Sequence, residues 1–149
     1  MIIQTKYHGE LEIDEKKIIH FEEGIPSFED EKQFIILPLE DSPFLILQSV
    51  KTASLGFVLI SPFEYFPDYD AVLPDAAVKK LKIENENEVV VFTILTVHEP
   101  FENTTANLRA PIVVNTKAQL GKQVILNNDK YTTKHRIIKK SPAPIGEEG

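Results

Sequence analysis

The longest apolar run of this chain reads Glu88-Val89-Val90-Val91-Phe92-Thr93-Ile94-Leu95-Thr96-Val97-His98. Its valine, isoleucine, phenylalanine and threonine side chains favour a strand, because branching at Cβ costs rotamer freedom in a helix. Nearly every position is apolar, rather than every second one, which is typical of a strand buried on both faces. We therefore expect this run to lie at the centre of a sheet or barrel.

A second apolar limb completes the stretch that decides the fold. It reads Ala106-Asn107-Leu108-Arg109-Ala110-Pro111-Ile112-Val113-Val114-Asn115 and follows a polar segment that begins at Glu99. Its valines and isoleucine again favour a strand. We expect the second limb to lie near the first.

Shorter apolar segments recur elsewhere at a spacing of about 8–12 residues, which is typical of a β-sandwich or barrel. Residues 2–13 form either one strand bent at Gly9 or a hairpin. The other predicted strands are residues 18–21, 34–37, 44–50, 55–60 and 123–126. Gly121, which precedes the last of these, is interpreted as a breaker.

One helix is predicted, over residues 75–81. Pro74 lies near its first turn, Asp75 at its positive end and two lysines near its negative end. The predicted fold class is mostly β: a compact antiparallel β-barrel-like single domain with one short helix. A chain of 149 residues has the length of one domain. We assign that domain to residues 1–137, followed by a flexible polar C-terminal tail over residues 138–149.

The composition narrows the class of protein. The chain has no cysteine, which removes disulfides, thiolate metal sites and cysteine nucleophiles. It has no charged and then apolar leader and no apolar run of about 18 residues, so we expect a cytoplasmic protein without membrane contact. Its net charge is −7, which disfavours direct binding of nucleic acid and suits a basic protein partner or simple solubility.

The motifs of common enzymes do not occur in the sequence. It contains no glycine-rich phosphate loop, no dinucleotide-binding fingerprint and no nucleophile elbow. The histidines lie far apart without the spacing of metal ligands; they are His8, His20, His98 and His135. Adjacent acids occur on turns, where carboxylates are normally solvated. We therefore expect no enzyme activity, no metal and no cofactor.

The loop over residues 62–75 is unusually rich in aromatic, acidic and proline residues. Proline fixes φ and removes a hydrogen-bond donor, so this segment is interpreted as a semi-rigid loop. Aromatic side chains on such a loop offer contact area to a partner at low entropic cost. The alternative is that Phe63, Tyr65 and Phe66 fold back to cover the core.

A polar segment over residues 101–111 joins the two apolar limbs. Its amides and hydroxyls, including those of Asn103, Thr104 and Asn107, exceed what a hairpin requires. They either cap the backbone of the loop itself or contact a partner.

Several short segments together form an ordered set along the chain. They are Met1-Ile2-Ile3-x-Thr5-Lys6-Tyr7-His8-Gly9, Phe21-x-x-Gly24-Ile25-Pro26-Ser27-Phe28-Glu29-Asp30, Leu47-Gln48-Ser49-Val50, Ser61-Pro62-Phe63-x-Tyr65-Phe66-Pro67, Leu95-Thr96-Val97, Asn103-Thr104-Thr105-Ala106-Asn107-Leu108-x-Ala110-Pro111 and Leu120-Gly121-Lys122-Gln123-Val124-Ile125-Leu126. No single segment is chemically diagnostic. In this order they resemble the flagellar assembly factor FliW family, over residues 1 to 137.

The resemblance implies a barrel-like β fold and a function in protein–protein binding. FliW-like proteins bind flagellin in the cytoplasm, and they also bind CsrA, a small dimeric RNA-binding protein that represses flagellin translation. Flagellin and CsrA compete for the factor, so export of flagellin frees the factor to take up CsrA, and flagellin synthesis resumes. The family has no catalytic residues to carry over.

Charge suggests where a basic partner would bind. Exposed charges are screened within about 8 Å at physiological salt, so acids that affect an RNA path must lie close to it. We hypothesise that a basic partner meets the acids Asp68, Asp70, Glu84, Glu86 and Glu88, with Tyr65, Phe66 and Tyr69 as apolar anchors. Phe63 and the polar residues Asn103, Thr104 and Asn107 complete the predicted partner-binding set.

A different class of function remains as the alternative. Closed β folds often hold ligands, so the chain is otherwise interpreted as a small-ligand or nucleic-acid-binding β-barrel module. RNA binding that weakens with salt would favour this alternative, and a stoichiometric complex with flagellin or CsrA would favour the first reading.

Overall fold

The computed structural model describes residues 1–138, and within them eleven strands and two short α-helices. The strands are β1 (Ile2–Gln4), β2 (Glu10–Glu12), β3 (Ile19–His20), β4 (Gln33–Pro38), β5 (Leu45–Ser49), β6 (Gly56–Ile60), β7 (Val89–Thr96), β8 (Thr105–Ala106), β9 (Ile112–Asn115), β10 (Leu120–Gln123) and β11 (His135–Arg136). The helices are α1 (Pro62–Tyr65) and α2 (Asp75–Lys80). Single 3₁₀ turns occur at Glu15–Lys17, Glu86–Glu88 and Phe101–Asn103.

Seven strands close into a barrel in the order β7-β6-β5-β4-β3-β10-β9, and β9 returns to pair with β7. All of these pairs are antiparallel except β3 with β10. The predicted central strand is β7, which pairs with β6, β8 and β9. The second apolar limb supplies Ala106 of β8 and all of β9, with Val90 opposite Val114. The predicted fold class is therefore confirmed.

The apolar run of β7 is explained by two cores, one on each side of the barrel wall. Successive side chains of a strand point to opposite faces. Phe92 and Ile94 pack into the barrel interior, whereas Val89, Val91 and Leu95 pack into a layer outside it. Burial or half-burial on both faces thus holds for most of the strand, and the exceptions are Val90, which is 37% exposed, and Thr96 at its end.

The barrel interior is filled by side chains. Fully buried residues from the interior include Phe21, Phe34, Leu47, Leu59 and Ile112, and the rings of Phe21 and Phe34 meet edge to face with their centroids 5.1 Å apart. Burying each such side chain contributes about 1.5–3 kcal/mol. A small barrel packed in this way is a solid core rather than a container for a ligand.

Two outer layers cover the barrel. On one side α2, the loop that precedes it and residues 124–137 bury Tyr69, Leu81, Leu108 and Tyr131 against the wall. On another side the hairpin β1–β2 lies against β4 and buries a small apolar cluster: Ile3, Ile13, Ile18, Ile35 and Leu37. Gly9, at φ +64°, turns the chain between β1 and β2, so residues 2–13 form the hairpin rather than the single bent strand.

The predicted helix is present as α2, and the structure adds a second helix, α1. The prolines of residues 62–75 predict a loop throughout, which is wrong for the first turn. Pro62 occupies the first helical position, where its missing N–H would have no intrahelical partner in any case.

The predicted strand over residues 123–126 and the breaker at Gly121 are corrected by the structure. Gly121 lies inside β10, and β10 ends at Gln123. Beyond it, Val124 N–H donates to Pro111 O at 2.9 Å and Leu126 N–H donates to Arg109 O at 2.8 Å. Pro111 has no N–H to donate in return, so the regular two-way pairing ends at Gln123. The predicted tail, residues 138–149, lies outside the described residues apart from Ile138.

Candidate partner-binding surface

The loop over residues 62–74 is fixed to the outer layer by two tyrosines. The Tyr69 hydroxyl donates to Leu108 O at 2.7 Å, and the Asp70 N–H donates to the Tyr131 hydroxyl oxygen at 2.8 Å. The two rings meet edge to face with centroids 4.8 Å apart. Burial raises the pKa of Tyr69 well above its usual value, so its hydroxyl stays protonated and remains a donor. The loop is therefore held in one position at its middle.

An open groove of about 610 Å³ lies on one side of this loop, and we call it the acidic groove. Its floor is apolar and consists of half-buried side chains from α2, the segment after it and β7; they include Val78, Ile83, Val89 and Val91. Phe63 and Val72, which are 45% and 68% exposed, stand at its edge. These side chains offer an unusually exposed apolar contact area.

The charged side chains that line the acidic groove are all carboxylates: Asp70, Glu84 and Glu86. Lys117 Nζ lies 3.9 Å from Glu84 Oε1, whereas Asp70 and Glu86 form no ion pair within residues 1–138. All three acids are exposed. The groove therefore combines an apolar floor with negative potential that the described residues neutralise only in part.

A smaller cavity of about 260 Å³ lies on the other side of the loop, and we call it the aromatic pocket. Its walls carry the rings of Phe66, Tyr69, Tyr131 and His135, and its charged lining consists of Asp68, Lys130 and Arg136. Tyr69 lines this pocket and its neighbour Asp70 lines the acidic groove, so the same loop forms a wall of both.

The structure divides the predicted loop residues between these two surfaces. Phe63, Asp70, Glu84 and Glu86 come together in the acidic groove, while Phe66, Asp68 and Tyr69 line the aromatic pocket. Tyr65 is half-buried and packs against the outer core, as the covering alternative required. Tyr69 is 6% exposed, so its role is to hold the loop.

Glu88 belongs to its own turn rather than to an open surface. It is 9% exposed, and its carboxylate accepts from Asn85 Nδ2 at 3.4 Å and from the Glu84 N–H at 3.5 Å. Lys117 Nζ lies 3.9 Å from its Oε1 atom. Glu88 thus positions the rim of the acidic groove without presenting its own charge.

The polar residues between the two limbs mostly cap their own backbone. Thr104 is fully buried, and its hydroxyl oxygen accepts from the His98 N–H at 3.1 Å. Asn107 Oδ1 accepts from the Ala110 N–H at 2.9 Å. Asn103 is half-buried in a 3₁₀ turn. For Thr104 and Asn107 the structure therefore supports the capping alternative.

Sequence reasoning missed two parts of this surface. Val72 is the most exposed large apolar side chain in residues 1–138, and nothing in the sequence distinguishes it from the rest of its loop. Tyr131 lies in an otherwise polar segment, from Lys130 to Arg136, and is buried. A single aromatic residue within that polar segment was the available signal.

The described residues contain neither a candidate cluster of metal ligands nor a helix suited to crossing a membrane. Within residues 1–138, no three side chains of the histidine, cysteine, aspartate or glutamate types are grouped so as to hold a metal ion. None of the helices in that part of the chain has the length and apolarity to traverse a bilayer.

Fold and surface together define a class of small filled β-barrels that carry a concave acidic surface. Comparison with known proteins identifies the family within this class. The family model described as FliW protein matches residues 2–137. The chain belongs to the FliW family of flagellar assembly factors.

Individual relatives agree with this assignment. The flagellar assembly factor FliW of Geobacillus sp. (strain WCH70) is 60% identical over 138 residues, covering 93% of this chain and 96% of that protein. The FliW of Bacillus subtilis (strain 168) is 55% identical over 138 residues, covering 92% and 96%. A crystal structure of the flagellar assembly factor FliW matches with a TM-score of 0.91 at 56% identity, covering 95% of this chain and 100% of that one. No catalytic family is indicated.

Proposed function

We propose that this protein is a cytoplasmic factor that couples the supply of flagellin to its synthesis by exchanging protein partners. It binds flagellin and, when flagellin is exported, binds the translational regulator CsrA. CsrA then releases the flagellin messenger RNA, and repression of flagellin translation is relieved. The protein itself transforms no substrate and binds no nucleic acid directly.

The observation that carries this proposal is the acidic groove in a chain of the FliW family. An RNA-binding protein presents basic side chains, which complement the exposed carboxylates of Asp70, Glu84 and Glu86. Phe63 and Val72 supply the apolar contact that a charged rim needs for affinity. The groove therefore has both parts of a site for a basic protein.

The charge of the groove also supports the release of RNA. A carboxylate held within about 8 Å of a phosphate path places negative potential there that physiological salt screens only in part. A factor with net charge −7 that occupies a basic partner thus opposes RNA on the same partner. Of the remaining predicted contact residues, Tyr65 and Asn103 are proposed to lie at the margin of this footprint, whereas Asp68 and Phe66 line the aromatic pocket and lie outside it.

The filled barrel argues against the alternative of a ligand-holding module. Phe21, Phe34 and Leu59 are fully buried in the interior, which leaves no lumen for a small ligand there. The carboxylates of the acidic groove also repel RNA phosphates.

Charge reversal in the groove tests the proposal. We expect the double variant Asp70→Lys with Glu86→Lys to bind CsrA at least about tenfold more weakly, a loss of about 1.4 kcal/mol. Calorimetric titration with purified CsrA measures this loss at low and at physiological salt. Flagellin added to the unaltered complex should displace CsrA.

A matched control separates the groove from total charge. The variant Glu40→Lys with Glu102→Lys reverses two exposed acids outside the groove and changes net charge by the same amount. It should bind CsrA almost as well as the unaltered chain. Equal weakening in both double variants would refute the groove as the site, and absence of any complex with CsrA or flagellin at micromolar concentration would refute the function.

A further inference from the structure

The aromatic pocket has a lining that the proposed function does not use. Phe66 and His135 meet edge to face with centroids 6.0 Å apart, and the ring of Tyr131 lies 6.2 Å from that of His135. Leu108 lies at the same cavity. Aromatic side chains in this arrangement present both ring faces and ring edges, which favour another aromatic ring over an aliphatic chain.

The tyrosines of the pocket act as walls, because their hydroxyls are occupied elsewhere. The Tyr69 hydroxyl donates to Leu108 O at 2.7 Å, and the Tyr131 hydroxyl accepts from the Asp70 N–H at 2.8 Å. A ligand in the pocket therefore meets the rings of these residues. Polar recognition must come from other side chains.

Those other side chains are mainly donors and cations. Lys130 and Arg136 are exposed and form no ion pair within the part of the chain that the structure describes. His135 Nε2 accepts from the Thr132 N–H at 2.8 Å, which leaves Nδ1 of the neutral ring to carry the proton and to donate. Asp68 is the carboxylate of the lining, so the lining as a whole carries one net positive charge.

The size of the pocket limits what it holds. Sites for small molecules usually measure about 300–1,000 Å³ and bury most of the ligand. The aromatic pocket, at about 260 Å³, lies below this range and opens to solvent. It has room for one large side chain, with the neighbouring residues of the same segment held outside against Lys130 and Arg136.

We propose that the aromatic pocket is a second protein-binding site, which takes an aromatic side chain flanked by carboxylates on an acidic segment of a partner. Its charge is opposite to that of the acidic groove, so the two surfaces select segments of opposite sign. The loop over residues 62–74 separates them. A basic partner does not use this site, so the test of the aromatic pocket is independent of whether the protein binds CsrA.

Three short blocked peptides test the site on the whole protein. The first has phenylalanine between two glutamates, the second has phenylalanine between two lysines, and the third has alanine between two glutamates. In a titration of ¹⁵N-labelled protein followed by NMR, we expect the first to bind with a Kd near 1 mM. The chemical-shift changes that it causes in the protein should be centred on residues 66–69 and 130–136. The other two peptides should bind at least about fivefold more weakly.

Charge-reversal variants complete the test. The pocket variant, Lys130→Glu with Arg136→Glu, should bind the first peptide at least about tenfold more weakly and should bind CsrA as the unaltered chain does. The control variant, Lys51→Glu with Lys79→Glu, reverses two exposed lysines outside the pocket. It should change neither the binding of the first peptide nor the binding of CsrA. The proposal is overturned if the three peptides bind alike, if the shifts are centred on residues 83–91, or if the pocket variant and the control variant behave alike.

Discussion

At the scale of single residues, Thr93 is a polar side chain in an apolar environment. It is fully buried in β7, and its hydroxyl has no hydrogen-bond partner within residues 1–138. A buried hydroxyl that loses its water partners without replacement is destabilising by about 1–3 kcal/mol. Threonine and valine share one shape, so the hydroxyl can be removed without leaving a cavity.

We therefore expect Thr93→Val to raise the free energy of unfolding by about 1 kcal/mol. Thr104→Val is the matched control, since Thr104 is equally buried but its hydroxyl oxygen accepts from the His98 N–H. That variant should lower the free energy of unfolding by about 1 kcal/mol. Urea unfolding of both variants measures the difference, and a destabilised Thr93→Val would contradict the interpretation.

Gly121 illustrates what the sequence cannot reveal about a single residue. A Cβ atom at this position would lie 2.6 Å from the Phe21 ring and 2.9 Å from Ile19 Cγ2. The glycine is thus required by side-chain packing against the neighbouring strand β3 and the residue after it, not by a turn. Phe21 and Ile19 lie far from Gly121 in sequence, so a local pattern interprets the same residue as a breaker.

At the scale of elements, local patterns predicted what depends on local chemistry. The β-branched run identified β7, and Pro74 with Asp75 identified the start of α2. The end of β10 could not be predicted, because it depends on Pro111 lying opposite Val124. The outer layer explains why both faces of β7 are apolar, but the sequence does not say which segment covers which face.

Glu23 joins three elements through charge. Its carboxylate pairs with Lys80 at the end of α2 and with Lys122 Nζ in β10, the latter at 2.8 Å, and it lies itself in the turn after β3. Hydrogen bonds from Lys122 and then Lys80 hold the pKa of Glu23 at about 2, below its ordinary value of 4.5. This pKa lies lower in the folded chain than in the unfolded one, so the pairing stabilises the fold above pH 4.5 and that stability is lost as the pH falls towards 2.

We expect Glu23→Gln to be destabilised at pH 7 and to approach the unaltered chain as the pH falls from 5 to about 2. The effect at pH 7 should stay below about 1 kcal/mol, because the side chain is half exposed and solvent screens the pairs. Urea unfolding at several pH values measures the difference between the two chains. Glu22→Gln is the control, and a Glu23→Gln difference independent of pH would contradict the assignment.

At the scale of the whole molecule, the hairpin and the barrel are separate β-sheets, joined by side-chain hydrogen bonds such as that of Lys6 N–H to Gln48 Oε1. β1 and β2 pair only with each other, whereas each barrel strand pairs on both sides. We expect the amides of β1 and β2 to exchange hydrogen through a local opening and those of β9 to exchange through global unfolding. Native-state exchange in low urea measures this difference, and equal opening free energies for both units would contradict it.

The candidate surface also shows the limit of sequence at this scale. The aromatic and acidic residues of the loop predict a binding surface on which they face one partner together. The fold instead places Asp70 and Phe63 on one side of the loop and Asp68 and Phe66 on the other. That division depends on the position in which Tyr69 and Tyr131 hold the loop. The local sequence pattern does not predict this position.

Closure of the barrel has a consequence for behaviour at high concentration. A sheet with long free edges can recruit the same edge of another copy and grow into fibrils. Here β9 returns to β7, so the strands that pair on one side only within residues 1–138 are β1, β2 and β11, each of two or three residues. The molecule should therefore have little tendency to polymerise through its own backbone at high concentration.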